Sequence, residues 1–128
     1  MATTPDAMEE LAASVSEALG AADLDAYREL LDPNVTWAAP DDDRHGCRNR
    51  DEVLAWYRRG RASGARADVT ETVVRGDRIL VGLRVRNATA QLGDAASQDR
   101  WQVLTVVDGR IRDIRGFDER AEAVRRLG

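Results

Sequence analysis

Few side chains in this sequence can do chemistry near neutral pH, and they sit in two places. His45 is the single histidine, so it alone has an ordinary pKa between about 5 and 8. It stands beside Asp41, Asp42, Asp43 and Cys47, in a stretch that reads as a polar loop over 41–46. Asp-Arg-His-Gly-Cys offers the atom types of a metal site. Adjacent acids cannot all face one ion, however, and there is no second histidine, so no metal is expected. His45 is then either a proton shuttle or polar contact, or a plain surface residue. Cys47 reads as a small buried filler rather than a nucleophile. Being alone, it also excludes an internal disulfide. The second place is the end of the last strand, where Asp118 precedes a short terminal helix. Asp is a favoured N-cap, so its plainest role is to cap that helix.

These groups need elements to hold them. Met8, Leu11, Ala12, Val15, Ala18 and Leu19 recur at helical spacing and predict a helix over 6–19. Thr4 or Asp6 can cap it, and Gly20 stops it. Asp23 opens a second helix over 23–31 with Leu24, Tyr27, Leu30 and Leu31 on its apolar face, ended by Asp32-Pro33. Residues 35–39 read as a short strand. A third helix spans 50–61, with Val53, Leu54, Trp56 and Tyr57 inward. Strands follow at 67–75, 79–89, 99–107 and 111–117, and a helix at 119–127 finishes the chain. Arg75-Gly76-Asp77-Arg78 and Val107-Asp108-Gly109-Arg110 read as hairpin turns. Three helices followed by a meander of long strands predict an α+β domain, its helices on one face of a curved sheet.

The 128 residues suit one domain over 1–128, and no apolar run approaches a membrane span. The opening Met1–Asp6 lacks a basic stretch and a long apolar run, so the expected compartment is the cytosol. Charge is uneven: −10 over 1–43, +5 over 44–66 and +1 beyond, for a net −4. Seven arginines crowd 44–66, yet no nucleic-acid motif accompanies them, so neither a nucleic-acid nor a membrane partner is expected.

The order helix, helix, short strand, helix, meander resembles the nuclear-transport-factor-2-like superfamily, which includes ketosteroid isomerases, SnoaL-like polyketide cyclases and limonene epoxide hydrolases. Asp23 to Trp37 is similar to its helix-turn-strand opening. Gly46 to Leu54 resembles the loop entering its third helix, and Asp108-Gly109-Arg110-Ile111 its final hairpin. Phe117-Asp118 and Arg126-Leu127-Gly128 look SnoaL-like. The resemblance implies a cone-shaped, cystatin-like α+β barrel: a curved antiparallel sheet around a mostly apolar pocket closed by three N-terminal helices. It also implies a small hydrophobic molecule as ligand, no cofactor, and dimers through the sheet.

The catalytic sets of these relatives transfer unevenly. Ketosteroid isomerase chemistry needs a carboxylate base and two acids, and those places fall on Ala39, Val15 and near Val103, which move no proton. The epoxide hydrolase Asp-Arg-Asp pattern keeps an arginine in Arg84-Val85-Arg86 and an acid in Asp118, but lacks the second acid. The cyclase pattern needs an acid late in the last strand, and Asp118 matches it. Alternation puts Ile114, Gly116 and Asp118 on one face; lining the cone, that face would desolvate Asp118 and make it a better base. By resemblance Trp37 is a pocket wall, with Tyr27, Trp56, Arg84, Trp101 and Ile114 as further ligand contacts. Trp56 also fits plain core, and Trp101 and Val103 face either the pocket or a dimer partner. The sheet is expected to bury its remaining apolar face in a homodimer: Leu80 alternates with Ile79 and Val81, and 103–107 is apolar on both sides. The domain is thus either a small-molecule binder with cofactor-free acid–base catalysis of the cyclase or isomerase type, or a non-catalytic binding or dimerisation module.

Overall fold

The structure is a computed structural model and describes residues 4–39, 42–62, 64–87 and 97–128. Helix α1, Pro5–Gly20, starts where the Ala7 N–H donates to Thr4 Oγ1 at 3.2 Å. Helix α2, Leu24–Leu30, starts where the Ala26 N–H donates to Asp23 Oδ1 at 3.0 Å. Each bond satisfies an amide that the first helical turn leaves without a partner. Strand β1, Leu31–Ala39, begins directly after α2, so Asp32-Pro33 lies in the strand rather than at the helix end. Strand β2, Asp42–Cys47, occupies most of the stretch that reads as a polar loop. It pairs antiparallel with β1, and backbone pairing needs no apolar side chains. Helix α3, Arg50–Ala62, starts where the Glu52 N–H donates to Asn49 Oδ1 at 2.9 Å.

The meander runs through β3 (Ala65–Arg75), β4 (Arg78–Asn87), β5 (Ser97–Val107) and β6 (Arg110–Phe117), and α4 (Arg120–Leu127) follows. Gly76 at φ +60°, and Asp108 and Gly109 at +52° and +80°, make the two tight turns expected. The loop expected at 91–98 lies largely outside the described residues. The six strands form one sheet in the order β2-β1-β6-β5-β4-β3. Four of the five strand pairings are antiparallel, but β1 lies parallel to β6, a refinement of the all-antiparallel expectation. The long path from β1 to β6 through α3 and the meander permits that direction.

The two faces of the sheet are buried differently. On the inner face Ile79, Val81, Leu104, Ile111 and Ile114 pack with α1 residues Met8, Leu11 and Val15 and with Leu54 of α3. On the outer face Leu80, Val103 and Phe117 pack under Ala123 and Leu127 of α4. Helix α4 is pinned at both ends. Arg120 pairs with Glu71 at 2.7 Å, while Arg75 donates to the Gly128 carbonyl at 2.7 Å and Arg78 to that of Arg126. The apolar surplus that the sequence assigns to a dimer partner is therefore largely covered within the chain. A β-bulge at Thr70 opposes Gly82 on this face. A Cβ on Gly82 would lie 2.7 Å from Thr70 Oγ1 and 2.9 Å from Glu71 Cγ, so the bulge needs glycine there.

Candidate functional site

At the open end of the inner face lies a cavity of about 630 Å³, within the usual range for small-molecule sites. Its apolar wall comes from Leu24, Trp37, Tyr57, Leu83 and Val85, and Arg61, Arg66, Arg86, Arg100 and Gln102 add polar atoms. Strand register explains the arrangement. Gln102 pairs with Val81 and Arg100 with Leu83, and paired residues share a face. From Leu104 outward, alternate β5 residues therefore turn the inner wall from apolar to polar.

An aromatic group closes one side. The Trp37 ring lies 4.7 Å from that of Trp56 and 5.2 Å from that of Tyr57, centroid to centroid. Trp56 and Tyr57 meet edge to face at 5.8 Å, a favoured geometry. Trp37 lies over Gly116, where a Cβ would stand 3.7 Å from the indole nitrogen. Trp56 is 50% exposed, so it belongs to the cavity lip and not to the core. Gln102 is buried and donates from Nε2 to the Tyr57 hydroxyl at 3.3 Å, while its Oε1 finds no partner among the described residues. Burial pushes the Tyr57 phenol up, partly offset by the Gln102 hydrogen bond.

Asp118 does face the way that alternation implies. Its carboxylate accepts from Arg100 on the inner face, and Arg100 also donates to Gln98 Oε1 at 3.1 Å. Both expectations about its surroundings need correction. Its side chain is 79% exposed and ion-paired, so it is not desolvated. It also does not cap α4: the N-cap is Glu119, with no side-chain hydrogen bond. Asp118 turns to Arg100 because the sheet register brings that cation alongside.

Other expected site residues are distributed around the cavity. Tyr27 is fully buried behind it, its ring 5.6 Å from that of Tyr57. Burial and the neighbouring Tyr57 raise its pKa well above the ordinary tyrosine value. Ile114 is fully buried in the inner core, away from the cavity wall. Trp101 lies on the outer face against the cluster under α4. Val103 shares that outer cluster, so at the position compared with a catalytic acid the inward residues are its neighbours Gln102 and Leu104. Arg84 is exposed and bonded to Asp99 at 3.0 Å, and that carboxylate pushes its guanidinium pKa up. The backbone of His45 runs in β2, and its side chain lies outside the described residues. Cys47 is half-buried, and burial and Glu52 raise its thiol pKa, which suits a filler better than a nucleophile.

Residue-by-residue reading of the sequence misses Arg100, Gln102 and Tyr57 as site residues. The alternation Gln98, Arg100, Gln102 carries the signal, but Trp101 and Val103 between them look like the inward set. Only the apolar stripe of α4, which needs a surface to cover, reverses the assignment.

No helix among the described residues is long and apolar enough to cross a membrane. No curated protein matches the chain. Among solved structures it is similar to Bal32a from a soil-derived mobile gene cassette, at TM-score 0.71 and 20% identity over 94% of this chain and 98% of that one. It is also similar to an LEH-like epoxide hydrolase of M. tuberculosis, at 0.66 and 18% over 97% and 90%. A cystatin-fold protein of Novosphingobium aromaticivorans matches at 0.70 and 16% over 84% and 95%. At these identities the likeness carries the fold alone. The profile of the SnoaL-like domain matches residues 12–114, most of the length and most of the cavity wall. The chain belongs to the SnoaL-like domain family.

Proposed function

We propose that this domain binds a small, largely apolar molecule in the cone cavity. The observation that carries the reading is the cavity of about 630 Å³, walled by Trp37, Tyr57, Leu24, Leu83 and Val85 beyond the packed inner core. Apolar area removed from water supplies roughly 25 cal/mol per Å², and the aromatic lip adds rigid contact surface. Gln102 and Arg100 orient the ligand's polar end. The test is a fluorescence titration with uncharged phenylnaphthylamine. Saturable one-to-one binding with quenching of tryptophan emission supports the reading, since Trp37 and Trp56 line the cavity. Non-saturable partitioning, or no quenching, contradicts it.

A second reading adds acid–base catalysis, and the ion pair between Arg100 and Asp118 favours it. A carboxylate beside the cavity can accept a proton alpha to a carbonyl, while the guanidinium can hold the developing oxyanion. In that reading Asp118→Asn lowers turnover of a hydrophobic carbonyl substrate by on the order of a hundredfold or more. Full activity in the variant rules Asp118 out as the base. Association through the sheet would use the strand surface that α4 leaves uncovered. Light scattering at micromolar concentration tests it: 14.1 kDa, the mass of one chain, argues against a dimer.

A further inference from the structure

We propose that the cavity selects anions, taking a ligand with an apolar body and one acidic group, a carboxylate or sulfonate. This rests on reading the cavity as a ligand site. Its guanidiniums are Arg61 of α3, bonded to the Ala22 carbonyl of the lining, and Arg100 on the inner face of β5, whereas register puts Arg66, Asp68 and Arg86 on the other face of the sheet beside Arg84; the carboxylate paired against them is Asp118, among the described residues. That balance is positive, while the chain as a whole carries −4, so composition does not explain it. The two cations come from separate elements, Arg61 from α3 and Arg100 from β5.

Arg100 is the best placed of them. Register puts it on the inner face beside Leu83, one step outward from Gln102. Its bonds to Asp118 and Gln98 use its terminal nitrogens, and a guanidinium has five N–H donors in a fork that fits a carboxylate. Arg61 donates to the Ala22 carbonyl at 2.5 Å. These contacts hold the guanidiniums in place before a ligand arrives, which reduces the ordering cost of binding. The apolar wall beside them lowers the local dielectric and strengthens attraction to an anion.

The experiment compares anilinonaphthalene sulfonate with uncharged phenylnaphthylamine, which has the same aromatic body without the acid. The sulfonate is expected to bind about tenfold more tightly, as one charge-assisted hydrogen-bond pair would give. Arg100→Gln is expected to bring that ratio close to one. Asp118→Asn, which removes a competing carboxylate, is expected to raise sulfonate affinity several-fold. Arg61→Gln serves as a second variant should Arg100→Gln fail to fold. Equal affinity for the two probes in the wild type overturns the anion inference and leaves the apolar-ligand reading standing. Failure of both probes to bind overturns both. A ratio unchanged in Arg100→Gln and in Arg61→Gln overturns the assignment of selectivity to this wall.

Discussion

Along the inner face of β5 the environment changes within three side chains. Leu104 is fully buried in the inner core with Ile79, Ile111 and Ile114. Gln102, the next inward residue, is buried against Tyr57. Arg100, the one after, is about half exposed in an ion pair at the open end. All three occupy the same kind of site on one strand, so backbone geometry does not distinguish them. What differs is what lies across the cone: packed side chains at the closed end, an open cavity at the other. Stability is thus concentrated where the cone is filled, and the proposed recognition where it is open. A domain built this way can vary its rim while keeping its core, consistent with one fold serving many functions.

The sharpest way to break that contrast is to compare truncations at its two ends. Leu104→Ala is expected to cost about 2–5 kcal/mol, the usual range for a fully buried Leu. Arg100→Ala is expected to cost under about 1 kcal/mol, since its ion pair is exposed. Urea denaturation with fixed m-values reads both. Similar losses at the two positions would refute the division between core and rim.

A smaller effect comes from the two phenols between core and rim. Burial raises the pKa of both Tyr27 and Tyr57, so the folded state holds their protons more tightly than the unfolded chain does. The stability they contribute is therefore complete below the unfolded tyrosine value of about 10 and declines as pH rises through and beyond it. Unfolding curves from pH 8 to 11 should show the decline in the wild type and a reduced one in Tyr27→Phe. The same variant should cost little at neutral pH, because no hydrogen bond of normal geometry holds the Tyr27 hydroxyl among the described residues. A slope unchanged in Tyr27→Phe would exclude Tyr27 as its source.

The smallest expected effect is at the rim. Asp118→Ala should alter stability by less than about 0.5 kcal/mol, because Asp118 makes no cap bond and its ion pair is exposed. A loss above 1 kcal/mol in thermal denaturation, on the scale of a lost cap, would restore the capping role.

Much of the fold was legible in the sequence, for identifiable reasons. Thr4 and Asp23 cap the helices they precede, and the apolar spacing of Met8, Leu11 and Val15 marks the buried face of α1. Asp108-Gly109 makes the hairpin that its residue types favour. The site was less legible because it depends on which face of β5 turns inward. A period-two pattern shows that two faces exist, not which one α4 covers. Trp101 and Val103 were candidates for the inside on hydrophobicity, yet a helix from the end of the chain claims them. Trp37 lines the cavity because it stands two residues after the core residue Val35 on the same strand. Asp118 fits a cap by residue type alone, whereas its partner Arg100 is eighteen residues away and is reached only through sheet register.

The measurement that bears most directly on the central claim is binding of phenylnaphthylamine to the wild type and to Ala67→Phe, side by side. Ala67 lines the cavity and shares its face with Val85, so a phenylalanine there fills space without touching the closed end of the core. The account predicts saturable binding to the wild type, a loss of about tenfold or more in Ala67→Phe, and an unchanged far-ultraviolet circular dichroism spectrum. Equal affinity in the two proteins would show that the probe binds elsewhere and that the cone cavity is not the ligand site.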